Sequence, residues 1–359
     1  MSKFHPLTVA RVKHETRDAI AVTFDVPPHL KQAFRYRQGQ HLTLRATIGG
    51  EDVRRSYSIC SAVQDDTLRV AIKRVPGGLF STWANETLKA GVTLDVMPPE
   101  GRFNLPIEPD SRRHYLAFAA GSGITPILSI VKTTLLTEPH SRFTLFYGNR
   151  ASSSVIFKNE LMELKDTYLE RLNIVYVMSR EQQDIDLFNG RITKEKTQQF
   201  LQHWIDIADY DTAFICGPED MMHGVSEALQ EAGMPKPDIK VELFAASIPK
   251  HQHKPRALDA QAAQHLTEVT VIQDGNAATF TMEKDKESIL DAGLRAGLEM
   301  RYSCKGGVCS TCRCKVVDGK VDMDVNYALE DYEIARGFVL SCQSFPATDK
   351  VVIDFDQAE

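Results

Sequence analysis

The chain has no uninterrupted hydrophobic run long enough to cross a bilayer. Its longest apolar stretch, residues 115–131, is broken by Gly121, Gly123 and Pro126, and a helical span needs roughly 20 apolar residues. The N-terminal segment, MSKFHPLTVARVKHETRD, is charged and lacks an apolar core, so no secretory signal is expected. Basic residues are not in excess. The net charge is −6, and residues 267–359 hold 10 Lys and Arg against 17 Asp and Glu, a balance of −7 that leaves +1 for the rest. Such a distribution offers no basic face for a nucleic acid. No Glu-x-x-His occurs, whereas di-iron carboxylate bundles use a pair of them, and no haem-ligand or Rieske-type histidine pattern stands out. An oxygen-activating centre is therefore expected on another chain. Repeats and low-complexity tracts are also absent. The seven cysteines are an odd number, which argues against a disulfide framework. With 43% hydrophobic and 25% charged residues, the composition is that of a globular protein. The expectation is a soluble cytoplasmic chain, of a length that allows two or three domains.

What is present is concentrated near the C-terminus. RYSCKGGVCSTC places Cys304, Cys309 and Cys312 in a C-x4-C-x2-C run, and Cys342 follows after 29 intervening residues. This is the ligand spacing of a plant-type [2Fe–2S] cluster. In that cluster type Cys304 and Cys309 hold one iron, and Cys312 and Cys342 the other. Gly306 and Gly307 let the loop curl and turn backbone N–H groups toward the sulfurs. A four-thiolate zinc knot is the competing interpretation. It would need paired C-x2–4-C knuckles and could recruit Cys314 only by leaving Cys342 without a role. Strand alternation points Cys314 away from the cluster. Arg301, Lys305, Arg313 and Lys315 have no acid among residues 301–315, which makes them candidates for a docking rim around an anionic cluster.

Three domains are expected. Residues 1–108 alternate apolar and polar side chains in HLTLRATI, RRSYSIC, TLRVAIKRV and VTLDVMPP, the rhythm of a small antiparallel β-barrel. Residues 111–245 alternate strand-like YLAFAA, FTLFYG, LNIVYVMS and DTAFICG with helical segments, which implies an α/β domain with a parallel sheet. Residues 246–266 lack any period and read as a linker, one that could let the last domain swing. Residues 267–359 read as strands, one helix and the cysteine loop.

The first two domains carry their own signals. YLAFAA runs into GSGITP. There Gly121 and Gly123 allow close backbone approach to a pyrophosphate, Thr125 can cap the following helix, and Pro126 suits its first turn. Taken alone, this is also an ordinary strand-to-helix turn. In AFICGPEDMM, Cys216 ends a strand where open α/β sheets bind ligands, and Gly217 and Pro218 turn the chain; a buried cysteine would look the same. Arg55 in RRSYSIC can pair with a phosphate, beside Tyr57 and Ser58. Gly77 and Gly78 form a turn, and Ser81 and Thr82 open a helix suited to phosphate. Arg150 lies just past FTLFYG with Ser152–Ser154 behind it and no acid in that run, which favours the 2′-phosphate of NADPH over the ribose of NADH.

In order and spacing, RxYS, GGxxS, GxGxTP and CGPxxM resemble the ferredoxin–NADP reductase superfamily over residues 5–245, and the last domain resembles a plant-type ferredoxin with a β-grasp fold. The resemblance implies a FAD-binding barrel and an NAD(P)-binding domain. Arg55 would contact the flavin phosphate, Tyr57 would pack on the isoalloxazine and Ser58 would approach N5. Gly78 and Ser81 would hold the pyrophosphate, and Gly121, Thr125 and Pro126 would cradle NAD(P)H. Cys216 would lie near the site of hydride transfer, making it and Ser58 the candidate catalytic pair. FHPLTVARV, YGNR, AFICGPEDMM and CKGGVCSTCRCKV further resemble the reductase subunits of bacterial phenylacetyl-CoA 1,2-epoxidases. That implies electron transfer from NADPH through FAD and a [2Fe–2S] cluster to di-iron oxygenase subunits in phenylacetate catabolism. A hydride brings two electrons and a [2Fe–2S] centre takes one, so a flavin between them is the necessary converter. The alternatives are the reductase of another oxygenase or hybrid-cluster system, and a redox-sensing subunit without turnover.

Overall fold

Alternating buried and exposed side chains shape the first sheet. In the computed structural model, which describes residues 4–244 and 266–357, six antiparallel strands form it: β1 His5–Thr16, β2 Ala19–Asp25, β3 His41–Ile48, β4 Glu51–Ser58, β5 Leu68–Lys73 and β6 Thr93–Val96. Their order is β4-β3-β6-β1-β2-β5, and a bridge from Ile59 to Val70 joins the two edge strands. The sheet is thereby closed into a barrel, which leaves no open edge. Helix α1, Leu79–Thr87, covers one end and buries Phe80, Ser81 and Ala84. The expected strands are all present. β1 and β2 were not among the segments singled out from sequence.

The following segment forms a parallel sheet of β7 His114–Ala120, β8 Arg142–Asn149, β9 Leu172–Met178, β10 Thr212–Gly217 and β11 Ile239–Leu243. The order is β11-β10-β7-β8-β9, so the chain reverses direction at β7 and the crevice opens at its carboxyl end. The connecting helices are α2 Ile124–Thr137, α3 Lys158–Thr167, α4 Lys194–His203 and α5 Glu219–Glu231. Helix α2 is apolar almost all round, with eleven of its residues buried. That pattern belongs to a helix enclosed on all sides. It packs between the sheet and the barrel, in a core that also takes Ala19, Ala21, Cys60, Ala71 and Phe103 from the barrel side.

Barrel and parallel sheet pack together as one compact unit. Polar contacts fix their registry. Arg69 Nη2 meets both Glu160 carboxylate oxygens at 2.8 and 2.9 Å, and Lys132 Nζ reaches Asp65 at 2.7 Å and Glu160 at 2.8 Å. The Ser129 hydroxyl donates to the Ser61 carbonyl at 2.7 Å. Burial alone would push the Glu160 carboxyl up, but Arg69 and Lys132 hold it below the ordinary range.

The second unit begins at β12 Leu266–Gln273 and continues with β13 Asn276–Glu283, helix α6 Ile289–Arg295, β14 Arg313–Asp318, β15 Val321–Met323, helix α7 Asp331–Ala335, β16 Phe338–Leu340, β17 Ser344–Pro346 and β18 Lys350–Asp354. Its main sheet runs β13-β12-β18-β14-β16, with β12 and β18 parallel, and α6 packs its Ile289, Leu290 and Ala292 into the same core. This is the α+β arrangement expected of a β-grasp domain. Of the expected linker 246–266, residues 246–265 lie outside the described residues, and Leu266 already belongs to β12. Among the described residues no helix is long and apolar enough to cross a membrane.

Candidate functional site

The crevice of the first unit forms where the end of β4 meets the carboxyl ends of β10 and β11. Ser58 closes β4 and is buried, and its hydroxyl donates to Glu242 Oε2 at 3.2 Å across 184 positions of sequence. Parallel pairing of β10 with β11 sets Glu242 directly opposite Cys216. Burial pushes the Glu242 carboxyl up to about 8, against the opposing effect of the Ser58 hydroxyl. The Cys216 thiol is driven upward by burial and then by the nearby Glu242 charge. It stays a neutral thiol, without the depressed pKa of a nucleophilic cysteine. The two residues expected at the reaction centre are thus linked through Glu242, which sequence reasoning missed. The available signal was an acid at the carboxyl end of the last strand, in IKVELF.

Beside them, the half-buried Tyr57 ring lies 5.6 Å from the Phe80 ring, and burial raises its phenol. Arg55 is exposed, and its Nη1 donates to the Arg54 carbonyl at 2.7 Å. Gly77 sits at φ +73° and Gly78 stands at the N-cap of α1. A Cβ on Gly78 would come within 2.6 Å of the Ser81 hydroxyl. That hydroxyl accepts from the Val75 N–H at 3.1 Å and donates to the Gly78 carbonyl at 3.3 Å. Ser81 therefore shapes the turn with its side chain, and what the turn presents to an anion is backbone N–H. The Thr82 N–H is taken by the Gly78 carbonyl at 3.0 Å. No side chain caps α1, so its first N–H groups are open to a phosphate.

At the end of β7 the glycines have separate tasks. Gly121 adopts φ +55°, and its carbonyl accepts from the Tyr147 hydroxyl at 3.0 Å. A Cβ on Gly123 would come within 2.0 Å of the Cys216 carbonyl oxygen. Close approach to a neighbouring strand, and not only to a ligand, thus requires this glycine. Gly217 is similarly tight, with 2.5 Å left between its would-be Cβ and the Met221 methyl, and Pro218 is the N-cap of α5. Thr125 departs from the expected capping role. A short 3-10 turn over Gly121–Gly123 starts the helical path early, so Thr125 is already inside α2, and its hydroxyl donates to the Ser122 carbonyl at 3.0 Å. Pro126 is buried in the first turn. Arg150 is exposed past β8, and its carbonyl accepts from the N–H of Arg180, just past β9, at 2.8 Å. Two arginines therefore stand at adjacent strand ends.

In the second unit the loop between α6 and β14 gathers the four cysteines as two pairs. Cys304 lies against Cys309, and Cys312 against Cys342, close enough for each pair to shift its partner's titration. The Gly306 N–H donates to Cys304 Sγ at 3.3 Å. The neighbouring Cys309 thiol holds the Cys304 thiol below its ordinary range. Cys342 is held by a 3-10 turn whose Ser341 N–H donates to the Cys312 carbonyl at 3.1 Å. The Gln343 side chain closes the loop on the Lys305 carbonyl at 2.8 Å. Lys305 and Ser310 adopt φ +52° without being glycine, and Gly307 sits at +76°. Cys309, Cys312 and Cys342 are buried, and Cys304 is the partly exposed member. Cys314 is buried in the core of the sheet, outside these pairs.

The expected basic rim is corrected by the structure. Acids remote in sequence oppose three of its four cations. Arg301 pairs with Asp274 at 2.9 Å, Lys305 with Asp291 at 2.7 Å and Arg313 with Glu333 at 2.8 Å. Lys315 lies 5.9 Å from the Phe338 ring centroid.

Comparison with known proteins agrees with this division of the chain. Residues 6–105 match the oxidoreductase FAD-binding domain, 118–227 the oxidoreductase NAD-binding domain and 271–347 the 2Fe-2S iron-sulfur cluster binding domain. The chain is 49% identical to one of the subunits of 1,2-phenylacetyl-CoA epoxidase from Escherichia coli K12, over 99% of both chains. It belongs to the three-domain oxygenase reductases. A second member, the ferredoxin reductase component of 3-ketosteroid-9-alpha-monooxygenase from Rhodococcus rhodochrous, is 35% identical over 97% of this chain and 96% of that one. Phthalate dioxygenase reductase shares the fold over 98% of each chain, with a TM-score of 0.58 at 22% identity. An intact self-sufficient cytochrome P450 monooxygenase contains the same fold, with a TM-score of 0.68 at 23% identity; this chain covers 41% of it.

As an oxygenase reductase the chain is an oxidoreductase, and its residues fit the groups its domains bind. The uncapped start of α1 suits a flavin pyrophosphate. The Ser341 hydroxyl, beside Cys342, is buried without a hydrogen-bond partner, as a donor facing cluster sulfur would be. The two thiol pairs suit two irons, in keeping with the 2Fe-2S cluster binding domain in which they lie.

Proposed function

We propose that this chain takes electrons from NADPH and delivers them to the di-iron oxygenase subunits of a phenylacetyl-CoA epoxidase complex. The observation that carries this reading is the 49% identity to the Escherichia coli epoxidase component, which extends through all three domains and 99% of both chains. When bound, the flavin accepts an electron pair as hydride and releases electrons singly, and the iron–sulfur cluster carries them one at a time. The chain's own residues bind and orient. Tyr57 and Phe80 form one wall of the flavin crevice, the α1 turn receives the pyrophosphate, and Arg55 meets its charge. Gly121, Gly123, Thr125 and Pro126 set the path of the nicotinamide nucleotide. Cys216, Gly217 and Pro218 bound the place where it meets Ser58. Glu242, held neutral below about pH 8 by burial, keeps the Ser58 hydroxyl in place and leaves no bare carboxylate beside the transferring hydride. Cys304, Cys309, Cys312 and Cys342 are the cluster ligands.

Arg150 and Arg180 support NADPH over NADH, because arginines at adjacent strand ends suit a 2′-phosphate. A cytoplasmic location follows from the need to keep thiolate ligands reduced. Two experiments test the reading. Co-purification with the oxygenase subunits should give NADPH-dependent oxygenation of phenylacetyl-CoA. Failure with those subunits, together with efficient reduction of another oxygenase, would reassign the partner. Arg150→Ala should raise KM for NADPH at least tenfold more than KM for NADH; equal changes would refute the coenzyme assignment.

A further inference from the structure

The loop after β8 is closed by a carboxylate from the loop after β9. Ser152, two residues past Arg150, donates its backbone N–H at 2.8 Å and its hydroxyl at 2.9 Å to one oxygen, Oε2 of Glu181. Ser152 also opens the 3-10 turn Ser152–Ser154, and Glu181 follows Arg180, whose N–H holds the Arg150 carbonyl. An N–H and an O–H converging on one oxygen at the start of a turn is how a chain grips a phosphate oxygen. Here the protein's own acid already fills that grip. This acid is invisible in the run Arg150–Ser154, because it arrives from 29 residues further on.

We propose that Glu181 is a specificity-determining residue that stands in for the 2′-phosphate of NADPH at the Ser152 donors and must be displaced when that nucleotide binds. The inference rests on the NADPH reading above. NADH, with a 2′-hydroxyl, has no second anion to place there and leaves Glu181 where it is. A phosphate arriving beside an undisplaced carboxylate would meet like-charge repulsion. Glu181 therefore weakens binding of the phosphorylated coenzyme and of its oxidised product alike, which favours product release. It also keeps the loop shaped when the site is empty, since the two Ser152 donors always have an acceptor.

The test uses the holoenzyme with Glu181→Gln and Glu181→Asp. Glutamine keeps an acceptor oxygen for Ser152 but removes the charge; aspartate keeps the charge on a shorter stem. The probes are 2′,5′-ADP and 5′-ADP, measured by equilibrium binding, with steady-state kinetics on NADPH and NADH using ferricyanide as acceptor. Glu181→Gln should tighten 2′,5′-ADP on the order of tenfold and raise the ratio of KM(NADH) to KM(NADPH) by the same factor, with the change residing in KM for NADPH. Glu181→Asp should not tighten it. Equal affinity of wild type and Glu181→Gln for 2′,5′-ADP would overturn the proposal. So would weakened NADH binding, which would make Glu181 a ribose acceptor, or weakening of both probes, which would make it only a loop brace. If wild type prefers 5′-ADP to 2′,5′-ADP and Arg150→Ala changes neither, the NADPH reading itself fails, and this inference with it.

Discussion

The flavin crevice and the cysteine loop solve the problem of placing reactive groups in opposite ways. The loop draws three of its four thiols from nine consecutive residues, Cys304 to Cys312, and relies on local backbone, with Lys305, Gly307 and Ser310 in the left-handed region. The crevice draws Ser58, Cys216 and Glu242 from the barrel and from two strands of the parallel sheet. Its geometry therefore depends on how barrel and sheet are locked. Burial does different work in each. In the loop it encloses sulfur that is to bind metal; in the crevice it keeps Glu242 and Cys216 uncharged. The lesson is that a local site tolerates change elsewhere, whereas a composite site fails when a distant contact is lost.

The sharpest break of this comparison is a ligand change. Cys342→Ala should abolish the reduced-state paramagnetic signal of the cluster while leaving flavin content and NADPH–ferricyanide activity within about twofold, because the crevice lies in the other compact unit. Joint loss of flavin would show that the two sites are not independent. Next in size is the lock itself. Glu160→Gln removes the shared partner of Arg69 and Lys132, whose side chains are 19% and 14% exposed. It should cost roughly 2–4 kcal/mol in urea unfolding of the first unit and reduce flavin affinity, with the cluster signal unchanged. An unfolding midpoint equal to wild type would show that barrel and sheet are held by apolar packing alone. In Gly123→Ala the new methyl would meet the Cys216 carbonyl, so the turn after β7 must move away from β10. Flavin reduction by NADPH should slow by about tenfold or more, with little change in flavin content.

The last effect expected is on pH dependence. The Glu242 carboxyl is raised from 4.5 to about 8 in the folded chain. The folded state then holds a proton that the unfolded state releases, so this contribution to stability is full below about pH 4.5 and fades as pH rises through 8. Glu242→Gln should flatten the stability profile between about pH 5 and 8 and leave the variant relatively more stable at pH 9. A profile parallel to wild type would place the carboxyl in ordinary solvent.

Much of this molecule was legible in its sequence, for physical reasons that can be named. Ligand spacing in the cysteine loop is a local property, and the two thiol pairs match it. The βα alternation that predicted a parallel sheet is also local, and HLTLRATI coincides with β3. Contacts across long separations were not legible. Glu242 reaches Ser58 from 184 positions away, Glu181 reaches Ser152, and Asp274, Asp291 and Glu333 neutralise cations that stand unopposed along the chain. A linear charge count cannot register any of these. The capping role read for Thr125 fails because Gly123, two residues earlier, is the N-cap of α2, a shift that residue identity alone does not encode.

A two-electron donor at the crevice should supply single electrons to a two-iron centre on the same chain. Anaerobic addition of one equivalent of NADPH to the purified holoprotein, followed by electron paramagnetic resonance and metal analysis, tests it most directly. The expected result is two irons per chain, a flavin partly bleached by the one remaining electron, and a reduced-cluster signal approaching one spin per chain that is lost in Cys342→Ala. A protein that contains zinc, or one whose flavin bleaches with no cluster signal at any NADPH concentration, would contradict it.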